Sequence, residues 1–343
     1  MIITLAVDAM GGDNAPICVF EGASLALSRF LENPENQHNK LIFHFYGDAD
    51  RLEHILLKFP VLKDHIQIFD SPLSIASDAK LTDIIRIAPQ TSLGKAIFSV
   101  AHKHADAIVS SGNTGAFMAL SKIYLKTFDG MDRPAIPAFF PTINGQSLML
   151  DLGANLECTP KMLFQFALMG RIYFQTILRK TNPTVGILNI GSEATKGNQI
   201  RQDAAKLFIE HPKINYIGFI EGNDISKGTV DIIVTDGFSG NIALKSIEGT
   251  ATFARHVLAE AFKSSLATKF AYLLMKPALK KMQKQLDQRY YNGAAFLGVK
   301  GIAVKSHGGS DAMAFSYALE KAIEMVKSSI VQELEVNLKV QGV

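Results

Sequence analysis

The sequence predicts an α/β protein with a mostly parallel sheet flanked by helices, and two observations carry that prediction. Short apolar strands alternate with helix-like stretches along almost the whole chain. This is the pattern of a parallel sheet covered on both faces. Six of the strands also run directly into glycine-rich polar loops. In open α/β sheets, the carboxyl ends of the strands carry the ligand site.

In chain order, strands are expected at "ITLAVD", "LIFHFYG", "IQIFD", "DAIVSS", "SLMLDLG", "TVGILNIG", "YIGFIEG", "DIIVTDG" and "GIAVKS". Between them, "TGAFMALSKIYLK" and "PKMLFQFALMGRIYFQTILRK" have helical spacing. No repeat or flexible linker divides the 343 residues. They are expected to form a single α/β catalytic unit, 1–343, whose subdomains, if there are two, are interwoven. Apolar residues at 48% and charged residues at 20% fit a soluble globular enzyme. Cys18 and Cys158 are too few for a disulfide framework and are not spaced as a zinc site. "MIITLAVDAM" has no basic leader, and no apolar run approaches the ~18 residues of a membrane span. A cytoplasmic location is therefore expected.

The loops carry the functional signal. They are "GGDN", "SGNTGA", "LGANLE", "IGSEATKGN", "DGFSGN" and "SHGGSD". Glycine bares backbone N–H groups, and a following helix N-terminus favours an anion. Six such loops at the same end of the strands predict a shared cleft. No G-x-G-x-x-G is present. Gly191 to Lys196 space a lysine like a phosphate loop but lack the Gly-Lys-Ser/Thr ending. The motifs alone therefore reach phosphate or another oxyanion, held by backbone amides and one or two lysines.

"VDAMGGDNAP", "SSGNTGAFM", "GMDRPAI", "LDLGAN", "QFALMG", "LNIGSEATKGN", "DGFSGNIALKSIEG", "YYNGAAFLG" and "KSHGGSD" succeed one another in the order that resembles the PlsX family of bacterial phosphate acyltransferases. The resemblance runs from Val7 to about Ala314, with Glu157 and Gln199 as departures. It implies transfer of a long-chain acyl group from acyl carrier protein to inorganic phosphate. The acyl phosphate would pass to a membrane glycerol 3-phosphate acyltransferase for phospholipid synthesis. It also implies a fold like isocitrate dehydrogenase and phosphotransacetylase with a protruding helical hairpin, a homodimer, and no metal or organic cofactor. No nucleic-acid partner is expected.

Phosphate is largely dianionic near neutral pH, so the site must hold charge and stabilise a tetrahedral oxyanion rather than supply a strong base. By resemblance, Lys196 in "KGN" and Asn241 in "FSGN" are the catalytic cation and amide donor. The plainer alternatives are a solvated loop lysine and a helix cap at the start of "NIALKSIEG". Gly11, Gly12, Asp13, Asn113, Thr114, Gly115 and Asn155 are assigned to substrate binding, with an N-cap role as the alternative for Asn113 and Thr114. Lys305 and His307 join them if the last strand aligns with the others. His307 is a candidate proton donor to the leaving thiolate, or a hydrogen-bonded structural histidine. Asp8 and Asp13 are expected to orient loop amides or a lysine, with a purely structural role the favoured reading for Asp8. Cys158 has no neighbouring base, so a covalent acyl-enzyme is rejected. The rival activities are a phosphotransacetylase acting on acyl-coenzyme A, an NAD- and metal-dependent hydroxyacid dehydrogenase, and a lipid-binding scaffold.

Residues 262–289 hold six lysines and Arg289 against only Asp287. This amphipathic stretch is expected to break at Pro277, with an apolar tip just before it. Phe270, Leu273, Leu274 and Met275, with Lys276 and Lys280, are the expected contacts to the anionic inner leaflet of the cell membrane, which the chain would bind peripherally.

Overall fold

The computed structural model describes residues 1–76 and 79–340; at positions 81, 280, 281, 283–286, 288 and 340 it describes the backbone alone. The strands are β1 (Ile2–Asp8), β2 (Lys40–Gly47), β3 (Ile66–Asp70), β4 (Ala107–Ser110), β5 (Ala138–Thr142), β6 (Gly145–Leu150), β7 (Thr184–Leu188), β8 (Asn215–Ile220), β9 (Ile232–Val234), β10 (Ala294–Ala295) and β11 (Ile302–Lys305). The helices are α1 (Ile17–Glu32), α2 (Ala49–Leu56), α3 (Leu81–Ile87), α4 (Ser92–Ala101), α5 (Thr114–Tyr124), α6 (Pro160–Leu178), α7 (Gln199–Glu210), α8 (Gly222–Lys227), α9 (Gly237–Lys263), α10 (Leu266–Leu286), α11 (Ala312–Lys327) and α12 (Ile330–Val340).

The strands form two sheets, ordered β10-β11-β4-β1-β2-β3 and β5-β6-β9-β7-β8. Pairing is parallel throughout except for β10 against β11 and β5 against β6. The chain builds the first sheet through β4, builds the whole second sheet, and returns to the first with β10 and β11. Alternation along the strands explains why the sheets hold together. Ile3, Leu5, Val7, Leu148, Leu150, Ile232 and Val234 share one apolar core. Their intervening neighbours Ala6, Met149 and Ile233 share the other. Side chains of successive strand residues point to opposite faces, so each core runs through both sheets.

Polar residues at the ends of the loops start the helices. Asn113 caps α5, Asn198 caps α7, Asp236 caps α9 and Asp311 caps α11, each accepting a backbone N–H from its helix's first turn. Such caps contribute about 1 kcal/mol each. They also aim four helix N-termini, with their partial positive charge, at the strand ends.

Two expectations need correction here. "DGFSGN" is not a loop: α9 begins at Gly237, so Asn241 is its fifth residue and Asp236 is the cap. Nor does Pro277 break the basic segment, because α10 runs through it. The break falls at Ser264–Ser265, where Ser265 and Thr268 form a reciprocal capping box. A proline removes one hydrogen bond and crowds the carbonyl four residues back. The turns on either side carry that local cost, whereas the serines supply an actual helix start. The apolar tip therefore sits at the α9–α10 turn. Side-chain placement of Lys280 lies outside the described residues.

Candidate active site

The loop after β1 shows why two glycines are needed. A Cβ on Gly11 would lie 2.3 Å from Asp8 Oδ2 and 2.8 Å from the Gly112 nitrogen. Gly12 has φ +101°, and a Cβ there would meet Ser111 Oγ at 2.5 Å and Gly308 O at 3.0 Å. Three strand-end loops cross at this point, and hydrogen bonds stitch them together. Asp13 N donates to Gly308 O (2.9 Å), Ser111 Oγ to Gly11 O (2.7 Å) and Asn14 Nδ2 to Ser310 O (3.1 Å).

Around the crossing lies a polar chamber of about 570 Å³ lined by Gly11, Gly12, Asp13, Asn113, Thr114, Gly115 and Lys305, among others. Asp8 closes its floor. Its buried carboxylate accepts Ser92 Oγ–H and Ser110 Oγ–H, both at 2.7 Å, and Ser110 Oγ in turn accepts the Gly112 N–H at 3.0 Å. Burial raises the Asp8 carboxyl above its ordinary value, partly offset by those hydroxyls.

A second chamber of about 510 Å³ shares Thr114, Lys305 and Gly308 with the first. Ile136, Phe139, Phe140, Leu152, Leu244 and Ile247 make its walls mostly apolar, with Lys245, Glu248, Arg289 and His307 also lining it. Here the first sheet's loops meet β5, the loop after β6, and α9. Lys305 is 9% exposed, and burial pulls its ammonium down to about 8 against the opposing charges of Asp8 and Asp13. His307 lines the apolar chamber. Its Nδ1 accepts the Gly309 N–H at 3.2 Å, which leaves the proton of the neutral ring on Nε2.

The remaining sequence candidates sit on the second sheet. Asn155 is buried and donates to Pro134 O (2.8 Å) and Asp151 Oδ2 (2.9 Å), so it holds its own loop and lines neither chamber. Asp151 also accepts N–H groups from Ile136, Ala154 and Asn155. The glycines of "DGFSGN" serve packing: a Cβ on Gly240 would fall 1.9 Å from Asp151 O. Asn241 stands over Gly153, and Lys196 over Gly191. Both side chains are exposed and have no hydrogen bond or ion pair among the described residues. Neither lines the two chambers.

Sequence reasoning missed Arg201. It donates from Nε to Leu188 O (3.0 Å) and from Nη2 to Asp236 (2.5 Å) and Ser239 (3.1 Å), tying the Lys196 loop's helix to the head of α9. Its signal was an arginine three residues after the "KGN" asparagine. The Cys158 thiol is buried and pushed up to about 12, first by burial and then by the Asp151 charge. Among the described residues, no group of three or more His, Cys, Asp or Glu is arranged to hold a metal ion.

Two mostly parallel sheets whose strand-end loops meet around these chambers define an open, mostly parallel α/β protein. The solved structures agree on the fold. A phosphotransacetylase from Streptococcus pyogenes superposes with a TM-score of 0.57 at 14% identity, over 96% of this chain and 94% of that one. A 4-hydroxythreonine-4-phosphate dehydrogenase from Klebsiella pneumoniae gives 0.51 at 10%, over 95% and 98%. Sequence narrows the class. The model of the fatty acid synthesis protein family matches residues 3–333. A phosphate acyltransferase of Rhodospirillum centenum is 49% identical over 323 residues, covering 94% of this chain and 89% of that protein. The chain belongs to the fatty acid synthesis protein family.

Proposed function

We propose that this chain, a phosphate acyltransferase by its family, moves a long-chain acyl group from acyl carrier protein to inorganic phosphate and releases acyl phosphate. The observation that carries this reading is the junction at Lys305, where a polar, amide-rich chamber meets an apolar one. Phosphate suits the first: the α5 N-terminus and the glycine-loop amides face it, and Lys305 offsets charge. An acyl chain suits the second, and the thioester carbonyl then lies at the boundary. Lys196 and Asn241, uncommitted on the facing sheet, are the donors we assign to the oxyanion. Incubation with acyl carrier protein thioester and phosphate tests the reading by the appearance of acyl phosphate.

Acyl-coenzyme A is the second donor to test, because the phosphotransacetylase likeness extends over nearly the whole chain. Turnover of the coenzyme A thioester with none of the carrier-protein thioester would replace the first reading. The exposed apolar residues of the α9–α10 hairpin support two further parts of the proposal. One is a homodimer. The other is peripheral attachment to an anionic cytoplasmic leaflet, where a membrane glycerol 3-phosphate acyltransferase takes the product.

A further inference from the structure

The proposed reaction, on which this inference rests, leaves one proton transfer without an agent. A phosphate dianion attacking a thioester through an ionised oxygen still carries a P–OH proton. The acyl phosphate formed gives that proton up at neutral pH. The sulfur leaves with the electron pair of the C–S bond and needs a proton. A single group touching phosphate on one side and sulfur on the other closes the balance with no further reactant.

We propose that Lys305 is this group, a catalytic residue that gives an Nζ proton to the departing thiolate and recovers one from the phosphate hydroxyl. The P–O–C bond forms and the C–S bond breaks. Dianionic phosphate and thioester become dianionic acyl phosphate and thiol, and the lysine ends as it began. Of the residues lining both chambers, only Lys305 has an ionisable side chain. Its Nζ makes one hydrogen bond among the described residues, to Ser306 O, so two N–H directions remain. The titratable and charged groups around it are Asp8 and Asp13 on the polar side. On the apolar side they are Lys245 and Glu248 of α9, Arg289, Tyr291 and His307. Burial holds the ammonium at about 8, so near neutrality it is charged yet able to part with its proton. His307 meets only the apolar chamber, which cuts it off from the phosphate hydroxyl.

The test uses inorganic phosphate and one acyl chain on two thiols, N-acetylcysteamine and thiophenol. The aryl thiolate leaves without help, and the alkyl thiolate does not. Lys305→Met and Lys305→Arg should each lower kcat by about 10²–10⁴ with the alkyl thioester and less than about tenfold with the aryl one. Arginine keeps the charge but does not release its proton, so Lys305→Arg should leave the phosphate KM near its wild-type value. In the wild type, kcat on the alkyl thioester should fall above pH of about 8, while kcat on the aryl thioester should not. That comparison needs no variant, so the test survives a variant that fails to fold. Equal losses on both thioesters, a fully active Lys305→Arg, or the same leaving-group dependence arising in His307→Gln instead would overturn the shuttle. If the wild type makes acyl phosphate from neither thioester nor from carrier-protein thioester, the acyl-transfer reading fails, and the shuttle with it.

Discussion

Arg201 and Asp236 form an ion pair at 2.5 Å that joins the helix after the Lys196 loop to the cap of the helix bearing Asn241. Both side chains are mostly buried, with 15% and 16% exposure. The same guanidinium also holds the Leu188 carbonyl at the end of β7. Two proposed catalytic groups, Lys196 on a loop and Asn241 on a helix, thus share one bracket.

Arg201→Gln should therefore cost about 2 kcal/mol of stability, since it strips a charged hydrogen-bond partner from a largely buried carboxylate. Arg201→Lys should recover little of it. A point ammonium cannot hold Leu188 O, Asp236 and Ser239 in one planar fork. Chemical denaturation of the three proteins measures this, and a lysine variant as stable as wild type would refute the bracket.

Lys196→Ala and Asn241→Ala should each lose about 10²–10³ in turnover, the usual loss for one oxyanion donor. Stability should stay within about 0.5 kcal/mol of wild type, because neither exposed side chain has a partner to lose among the described residues. Turnover and thermal melts on the same preparations check both halves. Near-normal turnover in both variants would remove them from the site.

Cys158→Ser should remain active, with no acyl-enzyme detectable by intact mass after mixing with thioester. A thiol held at about 12 is protonated at any working pH, and the nucleophile is the thiolate. A competent adduct on Cys158 would overturn direct attack by phosphate.

Asp8→Asn should move the descending limb of the alkyl-thioester pH profile below its wild-type position near 8. Burial lowers the Lys305 ammonium and the Asp8 carboxylate opposes it, so removing the carboxylate lets the pKa fall further. Steady-state kcat between pH of about 6 and about 10 measures it, and roughly 1.4 kcal/mol of lost interaction corresponds to one pH unit. A limb that stays put or rises would show that Asp8 does not act on Lys305.

Much of the frame was legible because parallel strands buried on both faces are written as continuous apolar runs, as in β1, β4 and β11. The strands that escaped were the antiparallel edges. β5 contains Pro141, and β10 is two alanines long, so neither carries a periodic signal. The first-sheet loops were readable as a site because their glycines answer to neighbouring loops. In "DGFSGN" the same residue type answers to helix packing against Asp151, and composition does not tell these apart. The Lys305 junction depends on which loop faces which, a tertiary fact. The turn at Ser264–Ser265 was hidden by Pro277, the louder helix breaker.

Apolar side chains crowd the tip of the α9–α10 hairpin. Leu266 is 86% exposed there, with Phe270, Leu273, Leu274 and Met275 exposed along α10. No helix among the described residues is long and apolar enough to cross a membrane. Packing against a second copy would also cover apolar surface, and Phe253 and Val257, midway along α9, suit that better than residues at the turn. The basic residues favour lipid near the tip. Lys263 and Lys269 flank it, and each lysine near an anionic leaflet adds about 1 kcal/mol of attraction. Wild type should therefore float with anionic vesicles, less so at high salt. Leu266→Glu and Leu274→Glu should stay in solution while still making acyl phosphate there. Phe253→Glu should instead shift the oligomeric state seen by light scattering. Glutamate variants at 266 and 274 that float as well as wild type would make this surface packing alone.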